Sequence, residues 1–543
     1  METEKYSEEN STLNCIAQCL SRLNVQTPEE HEETEKLQSK ANFDLINMKS
    51  LNFKGCKDAV DKLSKNYSKL TALELEELHV SSCEISDIPD EIFRLKYLKR
   101  LDLSDNLLGK IDEEISNLTN LLHLDLSSNK LCNLPSGLKH LTRLRYLNIS
   151  KNSFSEIPAV LHQGLRLLLK LDMSNNMFYQ FESPPLCITT LIELNLSSND
   201  LVQVPPWIFS NESCLETVDI SNNPIYEHVE IPLANVCSKG SFETLKVLNL
   251  QNCNVTYEKL DFILFLKNLK TLHLGNLENG ESKNLIEGIK PTILKNASLE
   301  NLSLSFGNLA VLPTDFGILT TIKVLDLSNN FLSWLPDSFS ELINLEVCNL
   351  SSNTISFLPQ MIGNLTNLKN LYLYDNQLYD LPESFNQLKN LELVDLYDNK
   401  IEQISCDIFK NMNLKGIDLE QNLLNFEELS MDFEHFQVKY ENLKENLRKI
   451  VDVDKRRLDV QKESNTDDCT ERDEMDSFRS EYSDDDNGEL VYEDNVGDID
   501  DWDKSEEEPE IENVVVVEDT FDPNGKFCIK YFYYHYKRFM REP

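Results

Sequence analysis

The sequence predicts an elongated α/β solenoid whose strands form one parallel sheet. Three observations predict this fold class: a leucine-centred phrase recurs along most of the 543 residues, its spacing is nearly constant, and 40% of the residues are hydrophobic. A fixed period indicates stacked units, each of which buries its apolar face only against its neighbours. One elongated body can therefore account for a length that would otherwise suggest several domains.

The repeated phrase is Leu-x-x-Leu-x-Leu-x-x-Asn-x-Leu, and about 15 copies follow one another from Leu75 onward. Most copies start at the same distance from the previous one, as from Leu98 to Leu121. Two steps are longer, and both lie within residues 215–299. A looser unit precedes the first copy, with Met48, Leu51, Phe53 and Cys56 in the corresponding places.

Each copy predicts a short strand, because apolar residues three and then two positions apart lie on one side of an extended chain. In the copy that starts at Leu98, the leucines point inward and Asp102 points outward. The asparagine after the strand, Asn106 in this copy, can both donate and accept hydrogen bonds with irregular backbone. We therefore expect a stacked asparagine ladder, with Cys83 and Cys253 in two of its slots.

Residues 228–298 depart from the regular pattern. The long steps fall in this region, the asparagine ladder lapses, and residues 257–266 have the apolar spacing of a helix on the outer side. We expect the curvature of the solenoid to change here.

The pattern resembles the leucine-rich repeat superfamily over about residues 75 to 424. Its regular form with Leu-Pro, as at Leu381 and Pro382, is similar to the intracellular class that contains the Shoc/Sur Ras-pathway scaffolds and the plant Ras-group-related proteins. The resemblance implies a leucine-rich repeat horseshoe with a parallel sheet on its concave wall. It also implies a surface that holds another protein.

The chain divides into six predicted segments, in which a C-terminal helix and a disordered acidic tail follow the repeats. They are a polar N-terminal segment (1–44), a degenerate N-terminal cap (45–74), the leucine-rich repeats (75–425, irregular at 228–298), a capping or projecting helix (426–460), an acidic disordered segment (461–512) and a basic aromatic tail that suggests a hairpin (513–543).

The concave wall carries the candidate site. The middle outward position of most copies is Asp or Asn, an acidic and polar stripe that we interpret as the ordinary solvated face. Two copies, starting at Leu368 and Leu391, differ because they carry tyrosines beside carboxylates where other copies carry Ser and Asn. Exposed tyrosine is enriched in interface hot spots, so we predict a partner site for a basic protein surface, with a self-packed tyrosine ladder as the alternative. The residues are Tyr372, Tyr374, Asp375, Asp395, Tyr397 and Asp398.

A second aromatic pair, Trp334 and Phe357, occupies the same position in two successive copies, just before Leu-Pro. We interpret it as stacking at the edge of the core. Lys49 to Phe53 loosely resembles the peptide that docks on protein phosphatase type 1. Leu51 and Phe53 also fit the degenerate cap, which is the interpretation we favour.

The tail is strongly acidic. Residues 463–512 hold 23 acidic side chains against Arg472, Arg479 and Lys504, a net charge of −20, so this segment cannot bury enough apolar area to order itself. Three serines have an acidic residue three places on, the arrangement that acidophilic kinases favour: Ser464, Ser483 and Ser505. The last residues are basic and aromatic, and we expect them to dock either on the acidic concave wall or on a partner.

Composition excludes several functions. A net charge of −41 argues against nucleic-acid binding by the repeat body. No apolar run is long enough to span a bilayer, no export signal is visible at Met1, and the 13 scattered Cys suggest reduced thiols. No catalytic constellation or metal-ligand spacing occurs, so we expect neither enzymatic activity nor a cofactor or metal.

Two functions remain. The first is a non-enzymatic scaffold or adaptor in cytoplasmic signalling, which binds a protein such as a small GTPase or a phosphatase on its concave face. The alternative is a nuclear protein whose acidic tail binds histones or other basic proteins. An extracellular recognition domain is disfavoured, because both an export signal and Cys-rich caps are missing.

Overall fold

A computed structural model gives the structure of the chain. It describes residues 49–57, 59, 63, 74–181, 183–210, 212–225, 244–296, 298–404, 406–409, 413–424 and 433–450. The chain divides into two compact units, residues 1–460 and 461–543, and every described residue belongs to the first.

The described strands form a single 16-stranded parallel sheet, and their spatial order follows the chain from β1 to β16. The strands are β1 (Ser50–Asn52), β2 (Glu77–His79), β3 (Arg100–Asp102), β4 (His123–Asp125), β5 (Tyr146–Asn148), β6 (Lys170–Asp172), β7 (Glu193–Asn195), β8 (Thr217–Asp219), β9 (Val247–Asn249), β10 (Thr271–His273), β11 (Asn301–Ser303), β12 (Val324–Asp326), β13 (Val347–Asn349), β14 (Asn370–Tyr372), β15 (Leu393–Asp395) and β16 (Gly416–Asp418).

The strands are short because only their central residue belongs to the core. In β3, Leu101 is fully buried between an exposed Arg100 and a half-buried Asp102. The repeats pair without slippage, so that Leu101 lies opposite Leu124 of β4. This arrangement confirms the predicted α/β solenoid with one parallel sheet, and it adds β1 of the looser unit to the predicted copies.

Short helical segments return the chain to the next strand. Pro135, Pro336 and Pro382 precede such segments with φ near their preset value (−67°, −65° and −64°). The 3₁₀ segments are Ile92–Arg94, Glu113–Asn117, Ser136–His140, Pro206–Phe209, Tyr257–Phe265, Phe316–Ile318, Asp337–Glu341, Ile362–Asn364, Glu383–Gln387 and Cys406–Phe409. The α-helices are α1 (Val160–Gln163), α2 (Pro291–Leu294) and α3 (Phe433–Ile450). The helix predicted at 257–266 is therefore a 3₁₀ helix.

The asparagine ladder is present. Asn330 accepts hydrogen bonds from the N–H groups of Gly307 and Leu309, both at 2.9 Å, and donates to the carbonyls of Leu304 at 3.0 Å and Leu327 at 2.9 Å. One side chain thus satisfies the backbone of two repeats.

The predicted lapse of the ladder between residues 228 and 298 is wrong. Asn284, which belongs to the extra residues of one of the longer repeats, accepts from the N–H of Cys253 at 3.0 Å and of Val255 at 2.8 Å. It also donates to the carbonyl of Leu250 at 2.7 Å. The thiol of Cys253 donates to the carbonyl of Ile220 at 3.0 Å, as a ladder asparagine would. Asn284 in the inserted residues and Cys253 therefore continue the ladder through this region.

Candidate protein-binding surface

The outward surface of the sheet, which we call the strand face, is formed by the first and third residues of each strand. The third residue is often Asp with a structural role. Asp102 accepts hydrogen bonds from the N–H of Ser104 at 3.0 Å and from its hydroxyl at 2.6 Å, closing the turn that ends the strand. Asp125, Asp172, Asp219 and Asp326 make the same pair of bonds to the serine two residues on.

Hydrogen bonds also connect the acidic stripe from one strand to the next. Asn148 donates to Asp125 Oδ2 at 3.3 Å, and Asn249 donates to Asp219 Oδ2 at 3.1 Å. Burial raises the pKa of Asp102, but hydrogen bonds from Ser104 and His79 outweigh that effect and hold this pKa below its ordinary value. The stripe is therefore a hydrogen-bonded row of half-buried side chains as well as a charged surface.

A row of alternating charges runs beside strands β10 to β16, at the residue that precedes each of these strands. Glu300 accepts from Lys270 at 2.7 Å and Lys323 at 2.8 Å, and these two bonds lower the pKa of Glu300 to about 2. The pairs Glu346 with Lys369 and Glu392 with Lys415 continue the row. Such exposed pairs add little stability, but they balance the charge along this border.

The first residues of the strands divide the strand face into two parts. In β2 to β7 they are charged or aromatic, and His123 and Tyr146 pack with ring centroids 5.6 Å apart. In β8 to β14 they carry no charge, and Val324 is 39% exposed. We call this second set the neutral tract: Thr217, Val247, Thr271, Asn301, Val324, Val347 and Asn370.

The neutral tract was not identified from the sequence. The sequence does contain a signal for it: the first residue of every strand from β8 to β14 is uncharged, whereas Glu193 at the start of β7 is charged. It becomes visible only when the strand register is known, because that register separates outward from inward residues.

The structure brings the six predicted site residues together on two adjacent strands and the turns that follow them. Tyr372 of β14 lies opposite Asp395 of β15. Burial and the nearby Asp395 carboxylate raise the pKa of Tyr372. Asp395 itself is fully buried and accepts the N–H of Tyr397 at 3.3 Å.

The backbone conformation explains why Asp375 and Asp398 occur where they do. Asp375 and Asp398 have φ of 56° and 55°, the left-handed conformation of the residue before each ladder asparagine. Asp, Asn and Ser are common at this position, as at Asp105 and Asn175, because their short polar side chains tolerate it. Tyr374 and Tyr397 are half-buried beside them.

Helix α3 lies on the strand face at β16. Gly416 makes this approach possible, because a Cβ there would lie 3.0 Å from Leu447 Cβ and 3.1 Å from Leu447 Cα. Arg448 pairs with Asp418 at 3.4 Å and also with Glu420. The helix thereby buries the outward side of β16.

The same helix closes the last edge of the sheet. In earlier repeats the N–H equivalent to that of Leu419 donates to the next strand, as Leu396 does to Asp418 at 2.9 Å. Leu419 donates instead to the hydroxyl oxygen of Tyr440 at 3.0 Å. Helix α3 thus provides a hydrogen-bond acceptor for the N–H of Leu419 at the edge of the sheet. It lies across the strand face, whereas the sequence predicted only that it would cover the end of the core.

Several predicted features lie outside the described residues: segments 1–44, 461–512 and 513–543, with Ser464, Ser483 and Ser505. Leu51 and Phe53 of the phosphatase-like peptide are 4% and 5% exposed, so docking through them would require them to leave the core.

Two searches over the described residues bear on other functions. No group of three or more His, Cys, Asp or Glu side chains in this part of the chain could hold a metal ion. Among the helices that the structure describes, none has the length and hydropathy needed to cross a membrane.

Comparisons with known proteins agree with the architecture. A leucine-rich repeat family model matches residues 74–131 and 321–378, and a model of two leucine-rich repeat copies matches residues 366–411. No curated protein sequence matches the chain.

Solved structures extend the comparison. A leucine-rich repeat protein of Leptospira interrogans is 26% identical, with a TM-score of 0.55, over 74% of this chain and 96% of that one. The Toll–Spatzle complex of Drosophila is 21% identical, with a TM-score of 0.52, over 67% of this chain and 48% of that one, a likeness of fold alone. The matched residues and the single parallel sheet show that the chain contains leucine-rich repeats, a kind of repeat that generally mediates protein–protein interaction.

Proposed function

We propose that the chain is a non-enzymatic scaffold or adaptor of intracellular signalling, which binds a basic protein surface on its strand face. The chain's own α3 supports this proposal, because it is a helix that already lies on that face. Its Lys444 pairs with Glu420 at 2.9 Å, and its Arg448 pairs with Asp418. The acidic residues of the strand face can therefore bind basic side chains that a helix presents.

We place the partner beside α3, on β12 to β15. Val324 and Val347 of the neutral tract offer apolar contact there, and Tyr372, Tyr374 and Tyr397 follow on the next strands. Tyrosine next to a weakly charged apolar area is the composition of interface hot spots. Asp375 and Asp398 would face the basic groups of the partner, whereas the buried Asp395 would act by holding the backbone at Tyr397.

The class of partner rests on the resemblance of the Leu-Pro repeats to Ras-pathway scaffolds. On that basis we propose a small GTPase or a protein phosphatase, and a cytoplasmic location. Salt should weaken the complex, because acidic groups meet basic ones across partly exposed contacts.

The test is recovery of partners by proximity labelling with the full chain and its variants. We expect Tyr372→Ala/Tyr374→Ala/Tyr397→Ala to lose most partners. We also expect Val324→Lys/Val347→Lys to lose them, because it adds charge to the neutral tract while keeping every tyrosine. Tyr97→Ala and Tyr179→Ala are the matched controls, since both tyrosines are exposed outside the strand face. Unchanged recovery in both site variants, with unchanged thermal unfolding, would contradict the proposal.

The alternative function depends on the acidic segment, whose net charge of −20 suits histones or other basic nuclear proteins. Deleting residues 463–512 separates the two functions. Partners that persist after the deletion and disappear with the strand-face variants favour the scaffold. Partners that disappear only with the deletion favour the acidic-tail protein.

A further inference from the structure

A row of exposed apolar side chains lies on the flank of the solenoid, outside the strand face. It comes from the loops that follow the ladder position of four consecutive repeats, which is Gly307 in the first of them and asparagine in the other three. The exposed fractions of these side chains are between 42% and 62%. A contiguous exposed apolar patch on a protein commonly marks a binding site. We call this row the aromatic flank: Val311, Phe331, Trp334, Phe357 and Tyr379.

The backbone holds these residues side by side. Phe331 donates its N–H to Leu309 at 2.8 Å, and Tyr379 donates its N–H to Ser356 at 3.3 Å, so the loops of neighbouring repeats are hydrogen-bonded. The rings of Phe357 and Tyr379 lie 5.8 Å apart with an angle of 31° between them. With repeats spaced ~4.8 Å apart, the row is ~14 Å long.

The fold does not require aromatic residues at these positions. The equivalents of Trp334 and Phe357 in earlier repeats include Asp87, Lys110 and Glu156, all of them exposed. Those repeats form the same strand and turn with a charged residue in that place. Stacking at the core edge therefore does not explain why Trp334 and Phe357 are aromatic.

Charges beside the row indicate what it would bind. Asp337, Asp380 and Glu383 are exposed next to it, in the same loops or directly after them. Lys400, in the following repeat, is the nearest basic residue in the equivalent loops of the described chain. Carboxylates around aromatic rings favour Lys and Arg, which can pair with the acids and lie over the ring faces.

We propose that the aromatic flank is a second docking surface, separate from the strand face and independent of the proposed scaffold function. Its occupant is a basic segment of a partner protein in which Lys or Arg alternates with apolar side chains. The apolar side chains contact Trp334 and Phe357, and the basic ones contact Asp337, Asp380 and Glu383.

The test uses a library of random displayed peptides of about 12 residues, long enough to cross the row. The library is selected on the full chain after depletion on Trp334→Ser/Phe357→Ser, which keeps every charge, including those of the acidic segment. Serine suits the fold here, since other repeats carry polar residues at these positions, and circular dichroism checks it. Tyr179→Ser, an exposed tyrosine on an earlier repeat, is the matched control.

We expect the selected peptides to be basic and apolar. Their affinity should fall at least about tenfold for Trp334→Ser/Phe357→Ser and for Asp380→Lys/Glu383→Lys, and should be unchanged for Tyr179→Ser. Acidic or neutral selected peptides, or no peptide that distinguishes the variants, would overturn the proposal. A dimer in sedimentation that the two serine substitutions dissociate would overturn it as well, because a second copy would then be the occupant.

Discussion

The asparagine that follows most strands joins two repeats through one side chain. Asn330 contacts four or more backbone groups, and Asn284 does the same from an unrelated sequence position. Both are nearly inaccessible to water, so their backbone partners have no replacement. The chemistry of the side chain matters here more than its place in the repeat.

We therefore predict that Asn284→Ala destabilises the protein as much as Asn330→Ala, by about 1–3 kcal/mol each, because each leaves buried N–H and C=O groups unpaired. Urea unfolding measures the effect. Asn386→Ala is the control, since Asn386 is exposed and should cost less than about 0.5 kcal/mol. A cost for Asn284→Ala as small as that of the control would contradict its role in the ladder.

Helix α3 is attached to β16 by contacts of two kinds. Leu447 packs against Gly416 without a gap, and Lys444 and Arg448 pair with Glu420 and Asp418. Burial raises the pKa of Glu420, but hydrogen bonds from Lys444 and Arg448 outweigh it and hold that pKa below its ordinary value. The ion pairs therefore make the attachment sensitive to acid.

The sign of this dependence follows from the lowered pKa. Glu420 contributes stability above the ordinary glutamate value of about 4.3, and the contribution disappears as the pH falls through the lower folded-state pKa. We predict that Glu420→Gln lowers stability at pH 7 by no more than about 1 kcal/mol, since over a third of the side chain is exposed, and by progressively less as the pH falls from about 4.3 toward pH 3.

Thermal unfolding of the variant and the parent chain between these pH values measures the difference. Glu402→Gln, a change at an exposed glutamate outside the α3 contacts, is the control. A difference for Glu420→Gln that persists unchanged at low pH would show that its charge is not what attaches the helix.

The described repeats share one continuous core. Each strand contacts only the strands before and after it, and aromatic pairs such as Phe316 and Phe339, 6.0 Å apart, bridge neighbouring repeats. Stability in such a stack is close to a sum of repeat and neighbour terms. The position of a defect along the stack should therefore decide how far its effect extends.

We predict that Leu325→Ala in β12 lowers global stability by about 2–5 kcal/mol, because the cavity weakens contacts to both neighbouring strands. Leu51→Ala in β1 removes a similarly buried side chain, but the described residues pair β1 with β2 alone. Hydrogen exchange should rise in β1 and β2 for Leu51→Ala, and across the central repeats for Leu325→Ala. Equal exchange changes throughout the solenoid in both variants would contradict nearest-neighbour stability.

By itself the sequence determined the solenoid, the single parallel sheet, the asparagine ladder and the grouping of Tyr372 with Tyr397. All of these follow from the regular period of the leucine phrase, because a local phrase repeated at constant spacing sets both the fold and which residues become neighbours. Only the tertiary structure decided the place of Asn284, the burial of Asp395 and the position of α3 on the strand face. These depend on contacts between residues that no periodic pattern relates, in an inserted loop and in a helix beyond the last repeat.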